Sequence, residues 1–117
     1  MKPADIKAEI AFATFASVDI RVGTIQSVHD VAGSSKLVRL VVDFGDHTRN
    51  ILAGIKKERN DVNDLVGKQT LFVVNLPPRA MAGETSEGML FDVGYADGIE
   101  PALVIPERPV PNGSRVG

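Results

Sequence analysis

Residues 36–44 read Lys-Leu-Val-Arg-Leu-Val-Val-Asp-Phe, and this alternation does most to limit what the chain can become. Val38, Leu40, Val42 and Phe44 fall on one face and Arg39 and Asp43 on the other, the period-2 pattern of a strand with one buried side. Gly45-Asp46 is a turn signal, and Thr48-Arg49-Asn50-Ile51-Leu52-Ala53 is again extended, so the two runs predict a hairpin. A β-branched run precedes them, from Ile20 through Val28, and contains Gly23, the mark of a bend or bulge. Residues 70–75 and 89–95 supply two more strands, separated by a long turn rich in Pro and Gly. Between the third and fourth strands, residues 55–67 offer Asn60 and Asp61 as N-caps and Gly67 as a C-cap, which predicts a helix of one to three turns. Strand, hairpin, connector helix and two further strands give the order of an all-β fold, a five-stranded Greek-key barrel of OB type.

The 117 residues fit one domain. We expect an N-terminal extension at residues 1–16, a barrel at 17–95 and a C-terminal extension at 96–117. The first extension carries Ile6, Ile10, Phe12 and Phe15, and the second a short Ala-Leu-Val-Ile strand followed by Pro106, Pro109 and Pro111. Left on a monomer, these apolar side chains make a patch larger than soluble monomers usually expose, which predicts a homodimer. No apolar run reaches membrane-spanning length and the first residues do not read as a signal peptide, so a cytoplasmic protein with no membrane partner is expected.

With no cysteine, thiolate metal sites and thiol nucleophiles are excluded. His29 and His47 stand beside turns and read as surface residues rather than metal ligands. Gly33-Ser34-Ser35-Lys36 lacks the spacing and the following helix of a phosphate loop. No nucleophile elbow or carboxylate pair points to catalysis, and neither a cofactor nor a metal is expected. The net charge of −2 argues against a nonspecific polyanion binder; the cations are gathered rather than abundant, at Lys36 and Arg39, at Lys56, Lys57 and Arg59, and at Arg79. There is no Trp and one Tyr, Tyr95, and Phe44 and Phe72 hold core positions, so base stacking on single strands is disfavoured. Recognition of a folded RNA by backbone and shape remains.

Several ordered motifs resemble the tRNA-binding domain found at the end of bacterial methionyl-tRNA synthetases, in the human endothelial monocyte-activating polypeptide and as free-standing bacterial proteins. Val18-Asp19-Ile20-Arg21-Val22-Gly23-Thr24-Ile25 is similar to its opening strand. Arg49-Asn50-Ile51-Leu52-Ala53-Gly54-Ile55 and Asp64-Leu65-Val66-Gly67-Lys68 follow in the family's order. The most specific stretch is Asn75-Leu76-Pro77-Pro78-Arg79-Ala80-Met81-Ala82-Gly83-Glu84-Thr85-Ser86-Glu87-Gly88-Met89-Leu90. The resemblance implies a non-catalytic module that grips the outside of the tRNA elbow with little sequence reading, and a free-standing dimer paired through its extensions. It implies an RNA site at Lys36, Arg79, Ser86 and Met89, to which Arg39 is added because it clusters with Lys36. An aminoacyl-tRNA synthetase is a further candidate partner. Two departures stand out: Asp30-Val31-Ala32-Gly33-Ser34-Ser35 replaces a Pro and acidic run before Lys36, and Ala80 replaces a second basic residue after Arg79. A sister group, the export-related chaperone CsaA, resembles the chain at Val42-Asp43-Phe44-Gly45, Pro77-Pro78-Arg79 and Ser86-Glu87, which implies unfolded polypeptide as the alternative ligand. Leu52-Ala53-Gly54-Ile55 and Gly88-Met89 resemble the tRNA binders more closely.

Overall fold

In the computed structural model, which describes residues 1–57 and 59–117, one long strand organises the rest. Strand β1 (Ile20–Asp30) pairs antiparallel with β4 (Gln69–Val73) through Ile20 to Thr24 and with β2 (Val38–Asp43) through Thr24 to Asp30. The change of partner demands a sharply coiled strand, and two local features supply it. A bulge shifts the register between Ile25 and Ser27. At Gly23 a Cβ would stand 2.5 Å from Val42 Cγ1 and 3.0 Å from Phe44 Cε1, so only glycine lets β1 press this closely on the hairpin.

Strand β2 forms the expected hairpin with β3 (Thr48–Ala53), Val38 facing Ala53 and Asp43 facing Thr48. Val38, Leu40, Val42 and Phe44 are buried as the alternation requires, with Ile51 beneath them and Phe72 meeting Phe44 edge to face at 5.6 Å. The expected connector helix is smaller, a single 3-10 turn at Val62–Leu65. Asp61 caps it by accepting from the Asn63 N–H, and Gly67 leaves it with a positive φ. The turn serves to insert Leu65, which is fully buried under the barrel; such a side chain contributes about 2 kcal/mol of transfer free energy.

Strands β5 (Arg79–Met81) and β6 (Glu84–Ser86) make a second hairpin where the sequence suggests only a long turn. Its two-residue loop is Ala82-Gly83, both at positive φ, the mirror-image geometry that suits the right-handed twist of paired strands. The last expected strand is divided: β7 (Met89–Leu90) pairs with β4, whereas β8 (Asp92–Val93) pairs with β9 (Ala102–Leu103). The main sheet therefore runs β3-β2-β1-β4-β7.

The two extensions behave differently. The C-terminal one follows β1: Gly113 donates to the Val22 carbonyl, Val22 to Ser114, and Val116 to Ile20, extending the edge that β2 occupies further along. The buried Thr70 hydroxyl is satisfied by the Val104 carbonyl at 2.9 Å. The N-terminal extension ends in a five-residue helix, α1 (Phe12–Ala16), that buries none of its residues.

Candidate nucleic-acid interface

Of the cations singled out in the sequence, Arg79 lies on the β5–β6 hairpin and Lys36 and Arg39 at the adjoining end of β2–β3. Arg79 opposes Ser86 in the hairpin register and its side chain is exposed. Ser86 is bonded to Leu52, and Leu52 faces Arg39 across the β2–β3 ladder. Arg39 in turn reaches the hairpin, pairing with Glu84 at 3.3 Å. Lys36 is exposed beside the end of β3, where its carbonyl accepts the Lys56 N–H at 3.1 Å. Its aliphatic stem lies over Gly54, where a Cβ would come within 3.3 Å of Lys36 Cε. Lys36, Arg39 and Arg79 are thus joined by one continuous set of contacts along the β3 margin.

The charges are less available than the sequence suggests. A guanidinium facing a carboxylate at 3.3 Å already has a partner of opposite charge within the chain, so Arg39 is not a free cation. The Lys56, Lys57 and Arg59 group separates on folding. Lys56 pairs with Asp30 at 2.8 Å, and Arg59 turns to the Pro101 carbonyl at 3.4 Å. Lys57, the residue after Lys56, stays exposed.

Ser86 sits more deeply than the sequence suggests. Its hydroxyl is expected to face RNA, yet the residue is only 4% exposed. It accepts the Leu52 N–H at 3.0 Å and donates its proton to the Gly88 carbonyl at 2.8 Å. With its proton committed to Gly88, the buried hydroxyl has no hydrogen left to donate to a phosphate. Met89 is exposed, as are Phe91, Val93 and Tyr95 at alternate positions after it.

Ser86 belongs to a seam that the sequence did not reveal. The outer edge of β3 has no full strand beside it. Asn50 donates to the Glu87 carboxylate at 2.9 Å and accepts from the Glu87 N–H at 2.8 Å. Arg49 Nη1 bridges the carbonyls of Val74 at 2.7 Å and Glu87 at 3.0 Å. Arg49 Nε also donates to His47 Nε2 at 3.0 Å, which fixes the other imidazole nitrogen, 2.6 Å from Asp46, as the protonated one. The pattern Ser86-Glu87 was visible in the sequence, but nothing in it distinguishes a buried latch from an exposed contact.

Across residues 20–115 the chain matches the family model described as "Putative tRNA binding domain". Among solved structures, a MetRS-related protein of Pyrococcus horikoshii is similar at 32% identity and a TM-score of 0.86, covering 95% of this chain and 100% of that one. The chaperone CsaA of Bacillus anthracis is 32% identical with a TM-score of 0.81, over 94% of this chain and 100% of that one. The CsaA chaperone protein of Picrophilus torridus is 28% identical with a TM-score of 0.82, over 93% and 100%.

Proposed function

Because this chain belongs to the tRNA-binding domain family, we propose that it binds tRNA as a non-catalytic homodimer, gripping phosphates with little regard to sequence. The observation that carries the reading is the hairpin, which carries Arg79, meets β3 through Ser86 and reaches Arg39 through Glu84. Three or four cations without exposed stacking aromatics between them suit a folded backbone better than a flexible single strand. In this reading Lys36, Arg39, Lys57 and Arg79 contact phosphate and Ser86 supports the hairpin. Met89 belongs to a different surface.

That surface supports the dimer. The N-terminal extension is tied at both ends, Ala4 donating to Asp97 and Asn75 bonding to both Ser17 and Asp19. Held there, it still shows Ile6 at 100% and Phe12 at 80% exposure, while Tyr95 is 95% exposed. A fixed apolar face of this kind is stable in water when it is covered, and a second copy offers the same face about a two-fold axis. Two modest cationic strips on one particle then reinforce each other. The same apolar face favours a second reading, in which unfolded polypeptide is the ligand, as the chaperone relatives suggest.

One experiment separates them. Total tRNA is titrated at two salt concentrations with an unfolded polypeptide as competitor, and light scattering is run on the full chain and on one lacking residues 1–13. The tRNA reading expects binding that weakens with a log–log salt slope of about −2 to −4 and resists the competitor. No tRNA binding at low salt, together with suppressed aggregation of the polypeptide, would establish the chaperone reading instead. A full chain that stays monomeric at high micromolar concentration removes the dimer.

A further inference from the structure

We infer that Glu87 is a positioning residue for RNA binding: with Ser86 and Arg49 it closes the barrel edge and thereby sets where the Arg79 hairpin stands. The inference rests on the tRNA reading above. Its structural basis is the seam along β3, where the backbone of the hairpin's exit departs from the ladder and side chains complete the hydrogen bonds. Leu52 and Asn50 present N–H groups outward at alternate residues, as an edge strand does. Ser86 Oγ meets the first and the Glu87 carboxylate meets the second. The Glu87 N–H and carbonyl are taken by the Asn50 carbonyl and Arg49. Glu87 therefore makes three bonds across the seam, using its side chain, its N–H and its carbonyl.

These bonds act on Arg79 through one step. Ser86 is the register partner of Arg79, so fixing the Ser86-Glu87 pair on β3 fixes the strand from which Arg79 projects. The only other tie from this hairpin to β2 or β3 that involves a charge is Glu84 with Arg39, among the described residues. That pair would itself yield when phosphate competes for Arg39. The seam is then what keeps Arg79 and Arg39 at a constant spacing while RNA binds.

The sign of the effect distinguishes positioning from simple electrostatics. Glu87 is an acid near a proposed phosphate site, so removing its charge alone should tighten RNA binding. Positioning predicts the opposite for Glu87→Ala and not for Glu87→Gln, because glutamine retains an oxygen that accepts the Asn50 N–H. The two variants have equal charge, and their difference isolates the hydrogen bond.

The test measures tRNA affinity of Glu87→Ala and Glu87→Gln, each with Arg79 present and with Arg79→Ala, and amide exchange at Asn50. Glu87→Gln should bind at least as tightly as the unaltered chain. Glu87→Ala should bind about fivefold more weakly and lose Asn50 protection, and the weakening should vanish in the Arg79→Ala background. If Glu87→Ala fails to fold, Glu87→Met, as long as glutamine but without an oxygen to accept the Asn50 N–H, makes the same comparison. Unchanged or tighter binding by the alanine variant, or an equal loss with and without Arg79, overturns the positioning role. If the unaltered chain binds no tRNA, the functional reading fails and this role with it, whereas Asn50 exchange still reports whether Glu87 closes the seam.

Discussion

Replacing Glu84 by glutamine leaves the hairpin's shape nearly intact and changes who owns the Arg39 guanidinium. The carboxylate stands 3.3 Å from Arg39 Nη1, and each side chain is about a third exposed. A pair this wet contributes little to stability, on the order of 0.5 kcal/mol, and glutamine can keep an uncharged hydrogen bond, so the melting temperature should scarcely move. The consequence for RNA is larger. Freeing Arg39 adds one phosphate contact, which steepens the log–log salt slope by roughly 0.7 to 0.9. Taken down from 1 M salt, that increment tightens binding by about tenfold at 50 mM and about threefold at 200 mM. The assay is a tRNA titration across that salt range for the unaltered chain, Glu84→Gln, and Glu84→Gln combined with Arg39→Ala. The gain should disappear in the double variant. An unchanged affinity and slope in Glu84→Gln would show that Arg39 does not face RNA. A gain that survives loss of Arg39 would show that Glu84 acts through the general field and not by occupying Arg39.

Ala82 holds φ at +50°, where a Cβ is unfavourable and Asn is better tolerated. Ala82→Asn should therefore stabilise the hairpin turn by about 0.5 kcal/mol and raise the melting temperature by roughly 2–4 °C, read by calorimetry; a lower melting temperature refutes the turn geometry. Acid dependence should centre on Asp19, whose carboxyl is held below the ordinary range chiefly by its hydrogen bond from Arg21, helped by Arg115. A depressed folded-state value means that the stabilisation is complete above the unfolded value of about 3.9 and is lost as pH falls through the folded one. The stability difference between the unaltered chain and Asp19→Asn should hold from neutral pH to about pH 4 and shrink below it. Asp92 has the opposite sign, since burial raises its carboxyl. Asp92→Asn should be stabilising at pH 7 and lose that advantage under acid conditions, and urea unfolding at both pH values measures it.

How much of this was legible depends on which forces leave a periodic trace. Burial does: Val38, Leu40, Val42 and Phe44 face the core because the alternation allows no other register, and the β2–β3 hairpin was readable, its second strand to the end residues and its first, expected over 36–44, to within two. Single tight contacts leave none. Gly23 could be read only as a bend or a bulge; the 2.5 Å approach of Val42 that demands glycine is made by a residue nineteen positions away. The hairpin at Arg79–Met81 and Glu84–Ser86 escaped because its strands are three residues each, too short for a pattern, and its turn uses Ala where Asn or Gly would have signalled it. The site was half legible for a related reason. A sequence shows which cations exist but not which are already neutralised, and folding assigns Arg39 to Glu84, Lys56 to Asp30, and Arg21 and Arg115 to Asp19. With those four engaged, the net charge of −2 is no guide to the field around Lys36 and Arg79, which stand exposed. Ser86 shows the converse error. A hydroxyl in a motif associated with RNA looks like a contact, yet the same residue type at the same spacing is what an open strand edge needs to satisfy its outward N–H groups. The chemistry of a serine serves either purpose, and only the direction of its Oγ, inward to Leu52 and Gly88, decides between them.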